Sequence, residues 1–235
     1  MAFSSPAEKR QAKPPAFFLA GDSTTAVNGG WGNGFISQLK APAWGVNIGK
    51  SGATTRSYEA GGYWANITSH LRQYSFEYDS YVTISFGHND QRPENGVTYA
   101  QYQANLIRFA NEVKSLGGTP LLTSSLTRRL FSNGSAEADD SLRNERLAAV
   151  AAAQQTNSTL IDLYAASRTY VNAIGNAPAQ RYNLASGDRT HLNPWGEKVF
   201  GRLVIDLLLK QKPALSQWFV ANATLSGQLT NGIPA

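Results

Sequence analysis

The chain contains no cysteine, which excludes disulfides, thiolate metal sites and a cysteine nucleophile. Histidine is scarce, with three in 235 residues, so an imidazole base must be His70, His88 or His191. No apolar run approaches the roughly 18 residues that span a bilayer. The early apolar stretch Ala16 to Ala20 is also too short for the core of a signal peptide. No Gly-x-Gly-x-x-Gly and no phosphate-cradling Lys-Ser/Thr motif follows that stretch, which argues against a nucleotide-binding module. Neither a lysine-rich run nor interleaved basic and aromatic residues points to nucleic acid. The formal net charge of +5 favours anionic partners instead.

A hydrophobic fraction of 42% suits one globular domain, and the length suits one domain better than two. Residues 1–15 are polar, contain a dibasic Lys9-Arg10 pair and close on Pro14-Pro15; they read as a mobile arm before a single domain over 16–235. Asn66, Asn133, Asn157 and Asn222 open glycosylation sequons, a mild pointer to a secreted, extracellular protein whose signal peptide is absent from this chain. Ala16 to Ala20 (AFFLA) is a continuous apolar run of the kind found in strands buried on both faces. Trp44 to Ile48, Tyr81 to Phe86, Thr119 to Leu126 and Leu160 to Leu163 are the other strand candidates.

Helical patterns lie between the strands. Tyr99, Tyr102, Leu106, Phe109 and Val113 share one face of a helix that stops at Gly117-Gly118. Leu142, Leu147 and Val150 mark another, entered through Asp139-Asp140-Ser141. Asn193 caps a third with Pro194 in its first position, followed by an apolar stripe from Trp195 to Leu207. Pro213 to Ala235 has little periodicity and receives no assignment. Strands alternating with helices predict an α/β domain with a five-stranded parallel sheet between two helix layers. Such sheets bind ligands at the carboxyl ends of their strands.

Two polar blocks follow strands at that rim: Gly21-Asp22-Ser23-Thr24 after AFFLA, and Gly87-His88-Asn89-Asp90 after YVTISF. A third, Asp188-Arg189-Thr190-His191, precedes the Asn193 helix. Alone, each block is an ordinary polar turn. Together they hold the parts of an acyl-transfer site. Ser23 is the nucleophile, and its backbone N–H is one oxyanion donor. Asn89 supplies a side-chain amide to the same oxyanion, and Gly52 would let another N–H approach closely. His191 is the base, and Asp188, three residues earlier, orients it. His70 lies in an amphipathic stretch with no orienting partner and reads as structural; His88 is placed to brace the Asn89 loop.

These residues resemble the SGNH (GDSL-type) hydrolase superfamily, whose four blocks centre on Ser, Gly, Asn and His. The matching positions are Ser23, Gly52 before Ala53-Thr54-Thr55-Arg56-Ser57-Tyr58, Asn89, and His191 in Asp-Arg-Thr-His. Within it, Leu19 to Thr24, Arg56-Ser57-Tyr58, Ser85 to Asp90 and Thr190 to Pro194 followed by Gly196 resemble the rhamnogalacturonan acetylesterase branch. Thr24 stands where many members carry leucine, which agrees with that branch and weakens a lipase reading. The likeness spans roughly Phe17 to Leu209. It implies a flavodoxin-like three-layer fold, an acyl-serine intermediate, and neither metal nor cofactor.

The substrate expectation is a small acyl ester on a polar, acidic carbohydrate such as acetylated rhamnogalacturonan, handled by a monomer without membrane or nucleic-acid partners. Arg56, Arg92 and Arg128, with Arg129 beside them, are candidates to pair with uronate carboxylates. Trp31, Tyr58 and Trp195 are candidates to stack on sugar rings. The rivals are an acetylesterase acting on xylan, a lysophospholipase or thioesterase of the same fold, and a non-catalytic carbohydrate-binding protein.

Overall fold

The computed structural model describes residues 13–235. The arm expected over residues 1–15 lies outside the described residues for its first twelve positions, Lys9-Arg10 included, and Pro15 already opens the first strand. Among the described residues there are five strands: β1 (Pro15–Gly21), β2 (Trp44–Asn47), β3 (Asp79–Ser85), β4 (Thr119–Thr123) and β5 (Thr159–Ile161). All pair in parallel, in the order β2-β1-β3-β4-β5. Between and after them run α1 (Gly32–Ile36), α2 (Thr55–Ala60), α3 (Tyr63–Tyr74), α4 (Tyr99–Ser115), α5 (Arg143–Gln155), α6 (Leu163–Ile174), α7 (Asn176–Gln180), α8 (Pro194–Gln211) and α9 (Ala223–Asn231).

β1 is apolar throughout because both of its faces are covered. All seven of its residues are buried. Phe17 and Leu19 enter one core with Trp31 and Phe35 of the α1 region, Tyr170 of α6 and Phe200 of α8. Phe18 and Ala20 enter the other with Trp64 of α3, Phe109 of α4 and Ala149 of α5. The chain is therefore a three-layer α/β/α sandwich, as its alternating pattern implied.

Local signals set most helix ends. Thr98 and Gln101 close a reciprocal capping box at the start of α4, and Asn193 Oδ1 accepts the Gly196 N–H at 2.8 Å to start α8, with Pro194 in the first position. α5 departs from expectation. Leu142 stands at its N-cap without a side-chain cap, and its buried face is Glu145, Ala148, Ala149, Ala152 and Ala153, while Leu147 points outward at 45% exposure. Short side chains let α5 lie close against its neighbours, so its buried stripe carries no large apolar residues to read. The tail holds a short 3₁₀ turn (Pro213–Trp218) and α9, anchored by Leu225 and Leu229.

One contact governs where the site forms. A Cβ on Gly34 of α1 would lie 1.8 Å from the Glu197 carbonyl oxygen of α8, and one on Gly201 of α8 would lie 2.5 Å from the Gly34 carbonyl carbon. The two backbones touch with no room for a methyl group. Gly34→Ala is expected to lower the unfolding free energy by about 1–3 kcal/mol, the usual range for overpacking, as read from denaturant melts. An unchanged midpoint would mean that α1 and α8 have slack between them.

Candidate active site

The strand ends assemble three loops. Gly21 ends β1 so close to β3 that a Cβ would meet Ser85 O at 2.7 Å and Thr25 Oγ1 at 2.2 Å. The chain then turns, with Thr25 and Ala26 N–H donating to the Asp22 carbonyl, and Ser23 sits half-buried at the crest. Asp22 holds this turn from below. Its Oδ1 accepts from the Thr24 N–H at 2.9 Å and from the Thr24 hydroxyl at 2.8 Å. Burial pushes the Asp22 carboxyl up to about 6, against the hydrogen bonds from Thr24. Thr24 is therefore the residue that makes the buried acid tolerable, a role its position in the motif did not disclose.

The loop after β2 is clamped to the same place. Lys50 N–H donates to Gly21 O at 2.9 Å, and Asn89 Nδ2 donates to Ala53 O at 3.0 Å. Gly52, at φ +76°, stands between these two attachments. Among the described residues, neither the Ser23 N–H nor the Gly52 N–H has a protein acceptor, and Asn89 Nδ2 keeps a second hydrogen beyond the one given to Ala53. Three unused amide donors thus lie on loops hydrogen-bonded to one another at the carboxyl ends of β1, β2 and β3.

His191 arrives from the far end of the chain. Its Nε2 lies 2.9 Å from Ser23 Oγ, and its Nδ1 lies 2.8 Å from Asp188 Oδ2. The other carboxylate oxygen of Asp188 accepts the backbone N–H groups of Thr190 and His191 at 2.8 and 2.9 Å. Burial alone would raise the Asp188 pKa. The N–H groups of His191 and Thr190, with the imidazole, outweigh it and hold the carboxyl below its ordinary value. Asp188 is thus an anion, Nδ1 carries the proton toward it, and Nε2 is left to accept from the Ser23 hydroxyl. Such an array can deprotonate a serine hydroxyl and stabilise an oxyanion beside it.

The other two histidines stand outside this chain of bonds. His88 Nε2 donates to Leu126 O at 2.9 Å, fastening the Asn89 loop to the loop after β4. Burial, aided by the nearby Arg128 charge, drives its pKa down to about 3, so its ring is neutral. His70 Nδ1 donates to Asn66 O at 2.9 Å, and its ring packs on Phe18. Among the described residues, no group of three His, Asp or Glu side chains is placed to hold a metal ion.

The rim arginines have different fates. Arg56 is exposed and donates to Asn95 O and Gly96 O, bracing the turn that follows Arg92. Arg92 is exposed. Arg128 is half-buried and donates to Ser141 Oγ at 3.0 Å. Arg129, read from sequence with these three, is 0% exposed and unavailable to a substrate. Trp31, at the N-cap of α1, and Tyr58, within α2, are also fully buried, each turned into one of the two cores, so neither can stack on a sugar. Trp195 is 46% exposed.

Arg129 has a different task. Its Nη2 donates to His191 O at 2.7 Å, its Nε to Asn183 Oδ1 at 2.6 Å, and its backbone N–H to Arg189 O at 2.8 Å. Burial lowers its pKa to about 10, partly offset by the Asp188 charge, so it is a cation at neutral pH. From the other side, Leu192 N–H donates to Gly29 O at 2.9 Å, and Glu197 Oε1 accepts the Gly29 N–H at 2.8 Å. A planar fork that satisfies two acceptors at fixed angles is not replaced by a lysine. Arg129→Lys and Arg129→Met should each lower kcat on a small ester by about ten- to a hundredfold with little change in KM, since 1 Å of misplacement costs on that scale. The lysine variant should keep more stability than the methionine variant, because it leaves the buried carbonyls a donor. Unaltered kcat in a folded variant would show that His191 is held without Arg129.

Residues 19–199 match the GDSL-like lipase/acylhydrolase family. The chain is 31% identical over 214 residues to rhamnogalacturonan acetylesterase RhgT of Bacillus subtilis, covering 83% of this chain and 89% of that protein. Its fold resembles the crystal structure of B. subtilis protein YxiM (TM-score 0.74, 21% identity, 86% of this chain and 58% of that one). It also resembles the acetylxylan esterase Axe2 of Geobacillus stearothermophilus (TM-score 0.59, 19% identity, 85% and 94%). The chain belongs to the GDSL-like lipase/acylhydrolase family of carboxylic ester hydrolases.

Proposed function

We propose that this protein is a serine acetylesterase that removes O-acetyl groups from a plant cell-wall polysaccharide, rhamnogalacturonan first. The observation that carries the reading is the unbroken line Asp188–His191–Ser23, at 2.8 and 2.9 Å, with unused amide donors on the loops at the carboxyl ends of β1, β2 and β3. The substrate class is supported by the 31% identity to a protein named for rhamnogalacturonan and by arginines on the rim.

In this reading Ser23 Oγ attacks the acetyl carbonyl as His191 Nε2 takes its proton. Negative charge develops on the carbonyl oxygen and is met by the Ser23 N–H, the Gly52 N–H and the free hydrogen of Asn89 Nδ2. Asp188 stabilises the imidazolium, which then protonates the departing sugar oxygen. Water repeats the cycle on the acetyl-serine and releases acetate. Arg92 and Arg128 face uronate carboxylates, and Arg56 contributes by fixing the turn beside Arg92. Every group comes from one chain, so a monomer suffices. A polymer too large to enter a cell places the work outside it.

Acetate release from acetylated rhamnogalacturonan, from acetylated xylan and from a long-chain acyl ester tests the reading. The expected result is preference for the pectic polymer and a loss of about 10⁴-fold or more in Ser23→Ala. Preference for xylan would move the enzyme to another wall polymer. Preference for the long-chain ester would replace the carbohydrate reading with a lipid or thioester one.

A further inference from the structure

Beyond the Ser23 loop, the same rim of the sheet carries a second concave feature. A cavity of about 300 Å³ opens between α5 and α6, lined by Asp140, Arg143, Arg146, Tyr164, Arg168 and Asn172 among others. Three guanidinium groups converge on one small space, with Asp140 as the only carboxylate in its wall.

The partners of Arg146 and Arg168 are not among the residues that line the cavity. Arg146 makes a two-point contact with Asp162, Nε at 2.9 Å and Nη2 at 2.7 Å to the same oxygen and Nε also to the other. Arg168 uses Nε and Nη2 on Ala138 O and on Glu137. Among the described residues, no acceptor is recorded for Nη1 of either one. Arg143 is freer still: its side chain is 71% exposed, and among the described residues its sole ion pair, with Asp140, is long at 3.9 Å. Asp140 in turn accepts the Tyr164 hydroxyl at 2.7 Å. The contacts with Asp162, and with Ala138 O and Glu137, hold the guanidinium groups of Arg146 and Arg168 in place before any ligand arrives.

The cavity is also in line with the site. Asp162 directly follows β5 and Ser23 stands two residues beyond the end of β1, and the sheet order places β3 and β4 between them. Three strand spacings amount to about 14 Å, a distance that a few linked sugars cover. Arg128 occupies the interval, bonded to Ser141 Oγ, next to Asp140 of the cavity wall.

We propose that this cavity is an accessory subsite for a uronate carboxylate of the polymer, so that an acidic chain whose acetyl group lies at Ser23 is gripped again over β4 and β5. This rests on the pectic reading above, and it adds that the enzyme recognises a run of acidic sugars rather than one acetylated unit. The carboxylate would displace the weak Arg143–Asp140 contact and accept from Arg143 and the Nη1 groups of Arg146 and Arg168.

Arg143→Gln and Arg168→Gln, alone and combined, test it. Both residues lie outside the Ser23–His191–Asp188 line, so kcat on 4-nitrophenyl acetate should be that of the wild type. KM for acetylated rhamnogalacturonan oligosaccharides should rise about three- to tenfold for each variant, the effect of losing one charge-assisted contact. Acetylated disaccharides too short to reach the cavity should show no change. A second measurement separates this subsite from the substrate reading. Calorimetric titration of Ser23→Ala protein with unacetylated oligogalacturonate should show binding that weakens with salt and with Arg143→Gln, while neutral xylo-oligosaccharide shows none of that dependence. If oligogalacturonate does not bind, or binds equally to the arginine variants, the subsite is wrong. If it binds as expected while acetate release favours xylan, the pectic reading of the catalytic site is what fails.

Discussion

Ser23 and His191 stand 168 residues apart and meet at 2.9 Å, and that meeting depends on α1 and α8 packing backbone to backbone. Gly34 and Gly201 make the contact possible. It sets the start of α8 against the Ser23 side of the molecule, and the hydrogen bonds Leu192 N–H to Gly29 O and Gly29 N–H to Glu197 complete the seam. Arg129 ties the other flank of the His191 loop to the loop after β4. The imidazole is therefore carried on a loop fixed from two sides. A hydrogen bond between distant groups of this kind is worth little unless the scaffold has already removed their freedom to separate.

The site combines a dry floor with an open rim. Beneath Ser23 lie Asp22, His88 and Asp90, all buried. Burial raises both acids, and each is met on one oxygen by a threonine N–H and hydroxyl, Thr24 for Asp22 and Thr55 for Asp90. His88 stays neutral because burial and the Arg128 charge both oppose its protonation. These groups hold the loops after β1, β2, β3 and β4 in register with one another. Asp188 differs: three hydrogen bonds outweigh its burial and keep it ionised beside His191. Two environments within one loop cluster thus separate acids that organise the backbone from the acid bonded to His191.

Much of this was legible in the sequence. The unbroken apolar run at β1, the strand–helix alternation and the Asn193-Pro194 cap led to the parallel sandwich, and the polar blocks after β1 and β3 led to the rim. His191 followed from the scarcity of histidine and the Asp three residues before it. What escaped shares one cause: burial produced by distant parts of the chain. Arg129 read as a surface arginine because it neighbours Arg128, and only the fold shows that its guanidinium turns inward to the His191 carbonyl. Trp31 and Tyr58 look available for sugars in the sequence, but α1 and α2 turn them into the two cores. α5 hides its inner face in alanines, and α9 rests on two leucines, so neither has a strong periodic signature. The three-arginine cavity joins residues from α5 and α6 that no local spacing connects.

The central claim is that Ser23 is a nucleophile activated by His191. Its most direct test is labelling with a serine-reactive fluorophosphonate, followed by mass spectrometry of the peptides, on the wild type and on His191→Ala. The account predicts stoichiometric modification of Ser23 that parallels loss of esterase activity and becomes slow in the histidine variant. Modification at another serine with loss of activity, or full esterase activity in protein labelled at Ser23, would contradict it.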